Sequence, residues 1–122
     1  MAKKILIVDD SASMRQMVNF TLTEEGYEVT EAENGREALD SMKGSAPDLV
    51  ITDINMPVMD GIELIKQIRA EADFKFTPII VLTTESEESK QSEGKQAGAT
   101  AWLVKPFTPE KLTETVKKVA GS

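Results

Sequence analysis

Ile5-Leu6-Ile7-Val8-Asp9-Asp10 sets an unbroken apolar run directly ahead of two carboxylates. A strand with one wet face would alternate apolar and polar residues, so an unalternating, β-branched run of this length fits a strand covered on both faces. Leu49-Val50-Ile51 and Ile79-Ile80-Val81-Leu82 read the same way. Strands covered on both faces belong to parallel sheets, whose right-handed crossover connections lay helices over each side.

Outward from these runs the apolar spacing changes to the helical repeat. Met14, Met17, Val18, Thr21 and Leu22 fall on one helix face; Leu64, Ile65, Ile68 and Ala72 make another; Leu112, Val116 and Val119 make a third. Arg36 to Met42 supplies a short second helix and Glu87 to Gln96 a fourth, while weaker strands fall around Glu28 to Glu31 and Ala101 to Val104. The result is five β/α units and an α/β doubly wound sheet. The fourth helix has almost no apolar stripe and contains Gly94, a weak helix former, so it is expected to be the least stable element.

With 122 residues, one domain spanning 1–122 is expected, with no effector domain after a last helix ending near Ala120. The formal net charge of −7 argues against binding duplex DNA or RNA, which needs clustered lysine and arginine. With neither cysteine nor histidine, disulfides, thiolate chemistry and Ser-His or Cys-His catalysis are excluded, and metal ligands must be oxygens. The N-terminal apolar run is too short for a signal peptide or a membrane span, so a cytoplasmic protein is expected.

Ligands of a doubly wound sheet bind beyond the carboxyl ends of its strands. Those ends carry Asp9-Asp10, Asp53, Thr83-Thr84 and Lys105-Pro106. Three converging carboxylates repel one another unless a cation joins them, and an incomplete shell of hard oxygen ligands suits Mg²⁺ with several waters. Asp53 can then act as a nucleophile toward a phosphoryl donor, with Lys105 as a second cation and the Thr83 hydroxyl as a hydrogen-bond donor. Taken singly, Asp10 could cap the helix that follows, Thr83 could cap a loop, and Lys105 could be a solvated charge.

Four segments in order carry a family resemblance: Ile5 to Asp10, Asp53-Ile54-Asn55-Met56-Pro57-Val58-Met59-Asp60-Gly61, Val81-Leu82-Thr83-Thr84-Glu85, and Lys105-Pro106-Phe107. Over the whole chain the sequence resembles receiver domains of two-component response regulators, in particular the CheY-like chemotaxis regulators. The resemblance implies a flavodoxin-like fold with strand order 2-1-3-4-5 flanked by five helices. It implies that Asp53 accepts phosphate from a phosphohistidine of a sensor histidine kinase, CheA-like in chemotaxis. Mg²⁺ would be held by Asp10, Asp53 and the Asn55 backbone carbonyl, with Asp9 reaching it through water. Lys105 would pair with the phosphoryl group, and the Lys105–Pro106 bond would be cis. Thr83 and Trp102 would form the conformational switch, with tryptophan standing where tyrosine or phenylalanine is commoner. Thr84, Glu85 and Asn55 would tune the lifetime of the phosphorylated state; Thr84 is larger than the residue often found there, which implies slow self-dephosphorylation.

Output is then expected through protein contacts, a flagellar motor switch protein or a phosphatase being the family's examples, with no nucleic acid, no membrane and a monomeric chain. Glu87 and Glu88 stand where the best-known members carry lysines. The alternative is a phosphorelay intermediate that passes the phosphoryl group between histidines. A small-molecule phosphotransferase would want an acidic proton carrier two residues after the nucleophile, where this chain has Asn55.

Overall fold

Strands and helices alternate along the chain because each apolar run is followed by an amphipathic segment. In the computed structural model the elements are β1 (Lys4–Val8), α1 (Ala12–Glu24), β2 (Glu28–Ala32), α2 (Gly35–Gly44), β3 (Leu49–Asp53), α3 (Gly61–Ala70), β4 (Ile79–Thr84), α4 (Glu88–Ala97), β5 (Ala101–Lys105) and α5 (Pro109–Ala120). The structure describes residues 3–54, 56, 58–84 and 88–120, and of residues 84 and 88–91 the backbone only. Asn55, Glu85 and Glu87, all singled out above, lie outside the described residues.

All neighbouring strands pair in parallel in the order β2-β1-β3-β4-β5. The three runs that stood out in the sequence are the central strands, and Ile5, Ile7, Leu49, Val50, Ile51, Ile79, Ile80 and Leu82 are completely buried. Each such side chain contributes about 1.5–3 kcal/mol over its exposed state. β2 and β5 are the sheet edges, which is why their sequences read weakly.

Alternate strand residues feed two separate cores. On one face Ile5, Ile7, Leu49, Ile51, Ile80 and Leu82 meet Val18 and Leu22 of α1 and Leu112 and Val116 of α5. On the other, Leu6, Val8, Val50, Ile79 and Val81 meet Ala38 and Met42 of α2 and Leu64, Ile65 and Ile68 of α3, with Ala97 of α4 packed against them. One expectation fails in detail: Ala72 is not on the third helix, which ends at Ala70, but opens a separate 3-10 turn over Ala72–Phe74 that buries Phe74 instead.

Side-chain caps fix where the helices begin. The Ser11 hydroxyl accepts from Met14 N, Asn34 Oδ1 from Glu37 N and Asp60 Oδ1 from Glu63 N, each satisfying an amide that an α-helix leaves open. Among the described residues no helix is long and apolar enough to cross a membrane.

Candidate functional site

The carboxyl ends of β1, β3, β4 and β5 meet along one rim. Asp9 directly follows β1, Asp53 is the last residue of β3, Thr83 is the last but one of β4, and Lys105 is the last of β5. Strand register aligns them: Asp53 pairs with Leu82, Thr83 with Val104 and Thr84 with Lys105.

Asp9 is completely buried, and a buried carboxylate must be compensated. Its Oδ1 accepts the Ser11 N–H at 2.9 Å. Among the described residues its Oδ2 has no hydrogen-bond partner, and it faces the Lys105 ammonium at 3.7 Å. Asp10 is exposed, and the capping of α1 falls to Ser11 rather than to Asp10. Asp9, Asp10 and Asp53 each offer a carboxylate oxygen, and these atoms lie within 4.8 Å of one another.

Asp53 Oδ1 accepts the Ile54 N–H at 2.8 Å and lies 3.3 Å from Lys105 Nζ. Burial, the strongest influence, pushes the Asp53 carboxyl above the ordinary carboxylate range. Lys105 pulls it down, the Asp9 charge pushes it up, and the Ile54 N–H pulls it down. A carboxylate that is costly to ionise without a cation is suited to receive one.

The loop after Asp53 folds back over the end of β3. Gly61 N donates to Ile54 O at 2.8 Å, and a Cβ on Gly61 would overlap the Asp53 carbonyl oxygen. Val58 in this loop has φ 71°, a left-handed conformation that a β-branched residue rarely adopts, and its side chain is exposed. Sequence reading missed this strain, since no local pattern announces it. Met59 folds against Gly35 at the start of α2. The Lys105–Pro106 bond is cis, as the resemblance implied.

Thr83 is buried, and Trp102 is half-buried on β5 against the core lined by α2 and α3. Phe107 packs on the opposite core, beside α1 and α5. A further contact, unforeseen in the sequence, comes from α1, where Arg15 Nη1 donates to the Asp9 carbonyl oxygen at 2.6 Å.

The sequence matches the model of the response regulator receiver domain over residues 5–117. The chain belongs to the response-regulator receiver family. It is similar to the chemotaxis protein CheY1 of Helicobacter pylori, 44% identical over 121 residues with 98% of each chain covered. Against a CheY homolog of Campylobacter jejuni it is 44% identical, with 98% of this chain and 93% of that one covered. Among solved structures, chemotaxis protein CheY4 of Vibrio cholerae superimposes with TM-score 0.93 at 52% identity, covering 98% of this chain and 99% of that one. The receiver domain of sensor histidine kinase PA1611 from Pseudomonas aeruginosa, described with a magnesium ion coordinated in its active-site cleft, superimposes with TM-score 0.91 at 30% identity over the full length of both. This receiver is thus CheY-like, a phosphorylation-activated response regulator that works with a histidine kinase, and a signalling regulator rather than a classical enzyme.

The acid pocket fits the divalent cation such receivers bind. Among the described residues three carboxylates converge on it, each offering an oxygen donor, and Asp9 Oδ2 is buried without a hydrogen bond. A hard cation with part of its water shell satisfies each of these features.

Proposed function

We propose that this receiver takes a phosphoryl group onto Asp53 from a phosphohistidine of a CheA-like sensor kinase and signals in chemotaxis by altered protein binding. The observation that carries the reading is the pairing of Asp53 with Lys105 at 3.3 Å beside the completely buried Asp9.

Asp10, Asp53 and the Asn55 backbone carbonyl would hold Mg²⁺, with Asp9 reaching it through water. When bound, the ion offsets negative charge gathering on the transferring phosphoryl oxygens. The remaining work belongs to the chain. The Ile54 N–H and Lys105 fix the Asp53 carboxylate. One of its oxygens attacks phosphorus, the P–N bond of the phosphohistidine breaks, and the imidazole departs with that bond's electron pair, leaving an acyl phosphate on Asp53. Lys105 then shifts its contact from carboxylate to phosphoryl oxygen, and the Thr83 hydroxyl donates to the same group.

These new contacts bias a two-state equilibrium in which Trp102 takes part. By the family resemblance, Thr84, Glu85 and Asn55 would set how fast water reaches the acyl phosphate. The receiving surface would be a flagellar motor switch protein or a phosphatase in the cytoplasm, with the receiver monomeric. The likeness to CheY proteins of three bacteria supports chemotaxis over a relay.

The test is transfer of radiolabelled phosphate from a phosphorylated kinase domain in the presence of Mg²⁺. Label is expected on the wild type and none on Asp53→Asn. Equal labelling of the two proteins overturns Asp53 as acceptor.

A further inference from the structure

Arg15 stands one turn into α1, where an arginine would ordinarily be a solvated charge, yet only 13% of its side chain is exposed. Its guanidinium bridges two elements. Nη1 donates to the Asp9 carbonyl oxygen at 2.6 Å, and Nε donates to Glu31 Oε1 on β2 at 3.0 Å. Glu31 is itself held, because its Oε2 accepts Asn19 Nδ2 at 2.7 Å.

The Asp9 carbonyl belongs to the peptide that leads into Asp10. Other bonds already hold Asp9: its N–H donates to Ala32 O at 3.1 Å and its Oδ1 accepts from Ser11. With the carbonyl also gripped, the plane of the Asp9–Asp10 peptide is fixed, and so is the direction in which Asp10 leaves the backbone. Asp10 is exposed, so where its carboxylate lies depends on the direction its backbone gives it. A fork with rigid donor geometry, braced from behind by a carboxylate, is a means of orienting a peptide that lysine does not provide.

We infer that Arg15, braced by Glu31 and Asn19, is a positioning residue that aims the Asp10 carboxylate into the acid pocket and thereby sets the affinity for Mg²⁺. This rests on the reading of Asp10 as a metal ligand. Two effects of Arg15 oppose each other. Its positive charge repels a cation, so removing it would tighten binding if Coulomb energy decided the matter. The Glu31 carboxylate at 3.0 Å offsets much of the Arg15 charge, whereas outer partners of metal ligands commonly govern affinity by about 10–100-fold. The positioning effect therefore wins.

The experiment is calorimetric titration of the full chain with MgCl₂, for wild type, Arg15→Ala, Arg15→Lys and Asp10→Asn, with thermal unfolding measured in chelator. Arg15→Ala is expected to weaken Mg²⁺ by about tenfold and Arg15→Lys, which keeps the charge and loses the fork, by about threefold. At saturating Mg²⁺, phosphorylation of both variants by acetyl phosphate should return close to the wild-type rate, which a merely structural defect would not allow. Unchanged or tighter Mg²⁺ binding in Arg15→Ala overturns the inference. Should that variant fail to fold, wild-type affinity in Arg15→Lys overturns it instead. Wild-type affinity in Asp10→Asn overturns the underlying ligand assignment, a different failure from that of Arg15.

Discussion

Lys105 Nζ stands 3.3 Å from Asp53 Oδ1, across two strands that are not neighbours. β4 lies between β3 and β5, so the lysine reaches over the end of β4 to the carboxylate. The ammonium is one of the groups that hold the Asp53 pKa down against burial. Lys105→Met keeps most of the unbranched side chain and removes that charge. In metal-free protein the Asp53 carboxyl should therefore titrate at higher pH than in wild type, followed by the carbon-13 shift of its carboxyl carbon. An unmoved titration would mean that Lys105 does not act on Asp53 in solution.

The raised pKa of Asp53 also predicts a dependence of stability on pH, whose sign follows from linkage. In the unfolded chain Asp53 titrates in the ordinary carboxylate range, and in the folded, metal-free chain it titrates above it. Above the folded pKa it is ionised in both states, and the folded state carries the extra cost. As pH falls through the folded pKa, the folded state takes up the proton first and the cost is relieved. Asp53→Asn should therefore raise the thermal midpoint in chelator at neutral pH, by roughly 4 °C for each kcal/mol in a domain of this size. The gain should shrink as pH falls from the folded pKa toward the ordinary carboxylate value, and be gone below it. A gain that grew in acid would contradict the assignment.

Gly61 is where the loop after Asp53 comes back against β3. An alanine there would drive its Cβ into the Asp53 carbonyl oxygen and to 2.9 Å from the Ile54 Cα. Backbone cannot give way as a flexible side chain can, so Gly61→Ala should cost about 2–3 kcal/mol in denaturant unfolding. It should also weaken Mg²⁺ binding, because the loop it displaces carries Asn55. Gly44, whose added Cβ would meet nothing within 4 Å, is the control, and Gly44→Ala should be close to neutral. Equal costs at the two positions would refute the steric argument.

The sequence disclosed what repeats or runs. Unbroken apolar runs gave β1, β3 and β4, since burial on both faces leaves no polar position to break the pattern. The edges β2 and β5 were weaker, because an edge strand buries fewer of its residues. Strand-end polarity exposed Asp9, Asp53, Thr83 and Lys105, and the register brings them to one rim. Helix ends were harder: Ala72 keeps the helical spacing of α3, yet the helix stops at Ala70. What stayed hidden was tertiary. The reach of Arg15 to the Asp9 carbonyl, the left-handed Val58 and the facing of Asp9 Oδ2 and Lys105 depend on which elements meet, and no local pattern encodes them.

Trp102 offers the last prediction, because it is the only tryptophan in the chain and its emission reports one place. It pairs with Val81 across β4 and β5, while Thr83 pairs with Val104. Alternate residues of a strand share a face, so Thr83 and Trp102 stand diagonally on the same side of the sheet. Val81 and Trp102 both meet the core lined by α2 and α3, which identifies that side. A movement of Thr83 toward a phosphoryl group on Asp53 would open space beside Trp102. With Mg²⁺ and beryllofluoride, an acyl-phosphate mimic, Trp102 emission should change with saturation. Asp53→Asn should abolish the change, and Thr83→Ala should bind the mimic yet lose most of it. Constant emission at a concentration where calorimetry shows the mimic bound would leave Trp102 as a structural anchor of β5, with the signal leaving the site by another route.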